Sequence, residues 1–322
     1  MRVARTLSLA ETVLEEHPVP QPGPGEVVCR ILACATCGSD VMDWYVARKL
    51  PAVLGHEPVG EVTAVGAGVT TVAVGDRVAI HHHTPCGDCP RCRAGHETLC
   101  PSFRTTNIRP GGFSEYVLVE ARLVGELLPL EGLDPVTATF TEPLGCALRG
   151  QARVRVAPQD RLLVVGAGCS GLLNLAAARA AGVHDVRVAE PDPERLERAL
   201  RWGAIAHAEG DLVDVAIACT PRPDAIRSAS EALDAGGRLL VYAPPAPGTP
   251  LDVDGGELFL RELTVTASWS AGPADMRASL DLLQSGAVAP LELVQLRVGL
   301  EDTGRALAAQ KSGAALKAVV EP

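Results

Sequence analysis

Arg161-Leu-Leu-Val-Val-Gly166-Ala-Gly168-Cys-Ser-Gly171 decides the fold. Four apolar residues follow Arg161 without a break, three glycines follow them in the spacing G-x-G-x-x-G, and an Ala/Leu-rich stretch then runs to Ala181-Gly182. Strand, glycine turn and helix in that order open a βαβ unit. Each glycine has a separate reason to be there. Gly166 permits the tight turn, Gly168 lets the backbone approach a pyrophosphate, and Gly171 lets helix and strand pack closely. The free amides at the helix start, at Cys169 and Ser170, face the phosphates. Glu190, nineteen residues past Gly171, is placed to accept hydrogen bonds from the adenosine ribose and to repel a 2′-phosphate, so NAD is expected rather than NADP. Arg195 joins the expected cofactor-binding set. The plainer alternative is a turn with no ligand and a solvated surface acid at 190.

Beyond that stretch the grammar repeats. The strand Asp185 to Ala189, the helix Asp192 to Trp202 and strands at Val213 to Ala218, Arg238 to Tyr242 and Leu263 to Ala267 predict an α/β, doubly wound parallel sheet over residues 151–289. Residues 1–150 read differently. They are dense in Gly and Pro and carry short β-branched runs at Glu26 to Leu32, Val59 to Val65, Asp76 to Ile80 and Glu115 to Val119, which predicts a small β-barrel or sandwich. The tail from 290 to 322 returns to short mixed elements, closing on the strand Leu316 to Val320.

The 322 residues suit two domains, and with only 3% aromatics their cores must be built from Val, Leu, Ala and Ile. A net charge of -10 advertises no basic surface, so neither nucleic acid nor an anionic membrane is an expected partner. Charges interrupt the first residues too often for a signal peptide, and no apolar run approaches ~18 residues. A cytoplasmic protein is expected.

Four of the ten cysteines crowd into Cys86-x2-Cys89-x2-Cys92-x7-Cys100. So tight a cluster in a chain with no sign of secretion suits one tetrahedral zinc better than a disulfide knot. Cys37, His56, Glu57 and Glu142 are scattered donors of mixed type, the usual make-up of a catalytic zinc site with an open position. Cys29, Cys34, Cys146, Cys169 and Cys219 are expected as small buried fillers. His81-His82-His83 invites a third metal, but neighbours along a strand point to opposite faces, so at most two could converge. Trp44-Tyr45 could wall a substrate pocket or simply pack.

Together these residues resemble the zinc-dependent medium-chain dehydrogenases, in the branch of sorbitol (iditol) and threonine dehydrogenases. The resemblance runs nearly end to end, through Pro22-Gly-Pro-Gly-Glu-Val27, Cys37-Gly-Ser-Asp40, Gly55-His-Glu-Pro58, Val74-Gly-Asp-Arg-Val78, the four-cysteine loop, Gly111-Gly-Phe-Ser-Glu-Tyr116, Glu142-Pro-Leu144 and the glycine turn. It implies a GroES-like β-barrel catalytic domain completed by the C-terminal tail, an inserted Rossmann domain, and an active site in the cleft between them. Two zinc ions per chain are implied, a structural one at Cys86, Cys89, Cys92 and Cys100 and a catalytic one at Cys37 and His56. Glu142 falls where polyol dehydrogenases place a glutamate ligand, and Glu57 matches an acid that reaches the metal directly or intermittently.

By the same resemblance Ser39 relays the substrate proton and Asp40 orients the histidine, though both also suit a helix cap. Zinc would act as a Lewis acid on an alcohol whose hydride passes to the nicotinamide. The implied substrate is a small alcohol or ketone, for preference a polyol, sugar or (amino)cyclitol oxidised at a secondary hydroxyl, and the implied assembly a homodimer or homotetramer. Rival readings are an alcohol dehydrogenase working mainly as a ketone or aldehyde reductase, and a non-catalytic dinucleotide-binding scaffold with the structural zinc only. A zinc-finger nucleic-acid binder lacks the basic surface. Three departures stand out: Met42 where relatives carry a relaying histidine, a short segment from Asp40 to Gly55, and only Ala208 to Leu212 where relatives insert a helix.

Overall fold

A computed structural model describes residues 1–322. The strands, in chain order, are β1 Arg2–Ser8, β2 Glu11–Glu16, β3 Val27–Ala35, β4 Ala52–Val53, β5 Glu57–Val65, β6 Arg77–Ile80, β7 Tyr116–Val119 and β8 Leu127–Pro129. They continue with β9 Arg161–Val165, β10 Asp185–Ala189, β11 Ile205–Ala206, β12 Val213–Ala218, β13 Leu233–Val241, β14 Thr264–Ala267, β15 Val294–Val298 and β16 Lys317–Val320. The chain divides into two compact units, residues 1–143 with 271–322 and residues 144–270.

The second unit is a six-stranded parallel sheet in the order β11-β10-β9-β12-β13-β14. Its middle strands β9 and β12 are buried nearly throughout, which is why they read as unbroken apolar runs and not as alternating ones. The helices Cys169–Ala180 and Pro193–Arg201 fall where the sequence places them. Between β11 and β12 there is no helix, as the short spacer requires. Residues 207–212 carry the chain past β10 and β9, three strand spacings or about 14 Å, a distance that six extended residues span. An ion pair from Asp211 to Arg187 of β10, at 2.5 Å, fixes this strap to the sheet.

In the first unit β15-β16-β3-β5-β6-β8 form one sheet, with β7 paired to β3, and β2-β1-β4 form a smaller one. The C-terminal tail completes the large sheet, because β16 pairs antiparallel with β3. The boundary at 270 differs from the expected one near 289. The helix Pro273–Gln284 packs on Pro135–Ala138, Gln284 donates to the Pro129 carbonyl at 3.0 Å and Arg277 meets Glu126 at 3.5 Å, so this helix belongs to the first unit. The core of that unit is aliphatic, built around Val27, Ile31, Val62, Val78, Ile80 and Val117 with Phe113 as its large ring.

Candidate active site

Register places the donors. In the β3–β5 pair Ala35 faces Glu57, and in the β16–β3 pair Val319 faces Ala35. Counting on by two residues, Cys37 lies beyond the end of β3 opposite Gly55, the neighbour of His56, on one side and Lys317 on the other. The Sγ of Cys37, a ring nitrogen of His56 and a carboxylate oxygen of Glu57 all lie within 4.8 Å of one another. Residues twenty apart in sequence meet because two strands end at the same level.

Asp40 holds two of these donors at once. Its Oδ2 accepts the backbone N–H of Cys37 at 2.9 Å and its Oδ1 lies 3.2 Å from His56 Nδ1. The first contact closes the short turn Gly38–Val41, so Asp40 is placed both to cap that turn and to face the histidine ring. The second puts the His56 proton on Nδ1 and leaves Nε2 as the free ligand atom. Burial disfavours the charge on His56, but Asp40 outweighs it and raises that pKa well above 6.5. Asp40, buried too, is held below the usual carboxylate range by the same imidazole. Ser39 Oγ lies 3.4 Å from His56 Nε2, at the ligand end of the ring.

Lys317 is the residue that sequence reasoning missed; it read only as part of the last strand. Its Nζ comes within 2.5 Å of Glu57 Oε2, and the two side chains are 3% and 0% exposed. The contact is a close ion pair sealed from solvent. Burial pushes Glu57 up to about 7 against the pull of Lys317, and the nearby charge of Glu142 adds to the rise. Glu142, buried in the first turn of the helix Thr141–Arg153, lies outside the convergent trio. Breaking a buried pair leaves a bare charge, so Lys317→Ala should cost about 3 kcal/mol of unfolding free energy; a denaturant midpoint unchanged from that of the parent chain would refute it.

The four cysteines gather as spacing suggests. Sulfur contacts of 3.9 Å (Cys86 to Cys92), 3.5 Å (Cys89 to Cys92) and 3.5 Å (Cys100 to Cys86) exclude disulfides. They match the edge of a tetrahedron of about 3.8 Å that Zn–S bonds of about 2.3 Å imply. Burial works against ionisation of Cys100, but the amides of Cys86, Phe103 and Ser102 bring its thiol down to about 6. Thr84 N–H donates to Thr106 Oγ1 at 3.0 Å and His83 Nδ1 lies 2.6 Å from the Thr106 carbonyl, clipping the lobe shut at its base. Both donor sets fit zinc: four thiols in one, and in the other a thiol, an imidazole of fixed tautomer and a buried carboxylate.

In the second unit Gly166 has φ +97°, and a Cβ at Gly171 would stand 1.8 Å from the Gly166 carbonyl oxygen, whereas one at Gly168 would meet nothing within 4 Å. Turn, close packing and open approach are thus divided among the three glycines. Glu190 accepts from Ala167 N–H at 2.6 Å and Asp192 N–H at 3.0 Å, tying the turn to the next helix. Arg195, on that helix, lies 3.9 Å from Asp192.

Comparison with known proteins agrees with this geometry. Residues 23–129 match the family described as alcohol dehydrogenase GroES-like domain, and residues 170–285 that described as zinc-binding dehydrogenase. The L-threonine 3-dehydrogenase of Saccharopolyspora erythraea is 33% identical over 296 residues, 85% of each chain. The chain belongs to the zinc-dependent medium-chain dehydrogenases. The sorbitol dehydrogenase of Bacillus subtilis, another relative, is 31% identical, with 100% of this chain and 97% of that one covered. The structure of 2R,3R-butanediol dehydrogenase from Bacillus subtilis superposes with a TM-score of 0.86 at 26% identity, covering 100% of this chain and 99% of the other. Structures of the same fold carry NADP or NADH.

As a medium-chain dehydrogenase the chain holds two convergent donor groups. The histidine triad is not a third; His81 and His82 meet edge to face at 5.8 Å and His82 and His83 are tilted at 4.1 Å. Burial pushes His81 down to about 3 and His83 to about 4, so both are neutral imidazoles. Of the expected fillers Cys29 and Cys34 are buried, but Cys146, Cys169 and Cys219 are not fully so; Cys169 opens the helix behind the glycine turn and Cys219 flanks Gly166. Trp44 and Tyr45 meet edge to face at 5.7 Å, and Lys49 Nζ stands 4.1 Å over the Tyr45 ring. No helix is long and apolar enough to cross a membrane.

Proposed function

We propose that this dehydrogenase oxidises a secondary hydroxyl of a polyol, sugar or (amino)cyclitol to a ketone, with NAD as the acceptor. The convergence of Cys37, His56 and Glu57 with Asp40 behind them carries the reading. Cys37 and His56 would hold a catalytic zinc with a carboxylate from Glu57 or Glu142, and Cys86, Cys89, Cys92 and Cys100 a structural one. When bound, zinc supplies the Lewis acidity that makes an alcohol acidic near neutrality and NAD supplies the hydride acceptor.

The chain's own groups do the rest. Asp40 keeps His56 in the tautomer that presents Nε2. Ser39 Oγ, 3.4 Å from that nitrogen, is within reach of a hydroxyl held there and relays its proton, accepting it while passing its own hydroxyl proton on to solvent. Lys317 keeps Glu57 compensated, so the pocket does not carry an unpaired carboxylate when the metal is absent.

Glu190, with each oxygen already fixed by one backbone amide, is pre-oriented to accept from the adenosine ribose. Glu190→Ala is expected to raise KM for NAD about tenfold and to narrow the preference for NAD over NADP by ~10–100-fold. Equal effects on the two cofactors would remove Glu190 from the selectivity.

An NAD-reduction screen over polyols, inositols, aminocyclitols, threonine and simple ketones, run in both directions, tests the substrate class. Faster turnover of simple ketones than of any polyol would replace it with a reductase.

A further inference from the structure

The β5–β6 register brings a second histidine up to the metal-binding end of β5. Val59 faces Ala79, Gly60 faces Val78 and Glu61 faces Arg77. Carried on by three residues, the same antiparallel count sets His82 directly opposite His56. The two ring centroids are 5.3 Å apart, tilted by 58°, the separation expected of a facing cross-strand pair.

His82 is only 9% exposed, and its Nδ1 is sealed from solvent with no hydrogen-bond partner. Nε2 is not sealed in this way. The groups around the ring do not supply what is missing. His83, 4.1 Å away, turns its own Nδ1 to the Thr106 carbonyl. His81 packs against Phe103, and His56 is committed to Asp40. A buried polar ring with no internal partner is costly, and an apolar residue would fill the same place without that cost. The fold gives the ring no task of its own.

We propose that His82 Nε2–H donates a hydrogen bond to a second oxygen of the substrate, on the carbon next to the reacting carbinol, so that the site selects vicinal diols and polyols over alcohols with a single hydroxyl. This rests on the dehydrogenase reading above and narrows it. Because His82 faces the His56 ring across one strand spacing, the oxygen it reaches is the neighbour of the one at His56, not a distant one. The proton belongs on Nε2 because Nδ1, sealed and partnerless, would otherwise bury an N–H donor with no acceptor.

The test uses the zinc-loaded protein with NAD, 2,3-butanediol and 2-butanol, and the variants His82→Phe and His82→Gln. His82→Phe should lower kcat/KM for the diol by ~10–100-fold, mainly through KM, while 2-butanol changes by less than about threefold. His82→Gln keeps an N–H donor and should recover most of the loss. Calorimetric titration of the same protein with 2,3-butanediol should show the dissociation constant rising by a like factor in His82→Phe, with zinc content unchanged. An equal loss on both alcohols, or an unchanged diol affinity, overturns the proposal. If the parent protein reduces no NAD with any alcohol, the dehydrogenase reading falls on its own. The calorimetry then still decides His82, by whether diol affinity differs between the parent and the Phe variant.

Discussion

Cys37→Ala should lower alcohol-dependent reduction of NAD by about 10³–10⁴-fold and cut the zinc content from about two ions per chain to about one. The size follows from what the ion contributes. Lewis-acid stabilisation of a developing alkoxide is worth several kcal/mol, and each 1.36 kcal/mol is a factor of ten in rate. Cys37 is the only thiol in its group; without it, the imidazole of His56 and the carboxylate of Glu57 make a weaker and harder site. Folding should survive. Cys37 lies past the end of β3, and the Asp40 contact to its backbone N–H is independent of the side chain. Metal analysis by mass spectrometry and steady-state rates check both halves, with thermal unfolding as the control. Retention of two ions with activity intact would dismiss Cys37 as a ligand, and loss of both ions would mean that the two sites are not independent.

The residues that were legible in the sequence share a property: their chemistry is fixed by short-range spacing. The glycine turn could be read position by position because Gly166, Gly168 and Gly171 act within one turn, and each has the local geometry that the spacing implies. The four-cysteine loop is legible for the same reason, since four thiols within fifteen residues need only local turns to meet around one ion. Strand identities in the parallel sheet were equally open, because strands buried on both faces are written as unbroken apolar runs. Lys317 was not legible. It sits 280 residues from Cys37, a lysine in a strand usually faces water, and only the pairing of β16 with β3 brings it to Glu57. His82 was half legible. The triad drew the eye as a metal motif, but its meaning depends on which histidine stands opposite His56, which register alone decides. The unit boundary failed similarly, since the helix Pro273–Gln284 carries no sequence mark of the surface it packs on.

Cys100→Ala should release the ion of the cysteine lobe, lower the melting temperature by about 10 °C or more, and open the chain between Pro85 and Thr105 to protease. The lobe has almost no core of its own. Phe103 with Cys92 and Cys100, and Cys89 packed against them, is its whole apolar cluster, far less than a segment of this length needs to stay folded unaided. Its organising contacts are sulfur to sulfur, and thiolates held that close repel one another unless a cation sits among them. Losing the ion therefore removes the lobe's main source of order, and at roughly 2–4 °C per kcal/mol for a unit of this size a loss of several kcal/mol gives the stated shift. The effect should reach the active site by a specific route. The clip from His83 and Thr84 to Thr106 holds the residue next to His82, so selectivity for diols should fall together with lobe order while the zinc at Cys37 and His56 stays bound. Differential scanning calorimetry and limited proteolysis with mass spectrometry measure the first effect, and the rate ratio between 2,3-butanediol and 2-butanol the second. A variant as heat-stable and protease-resistant as the parent would show that the lobe holds its shape without metal. A loosened lobe with an unchanged rate ratio would show that His82 takes its position from β6 alone.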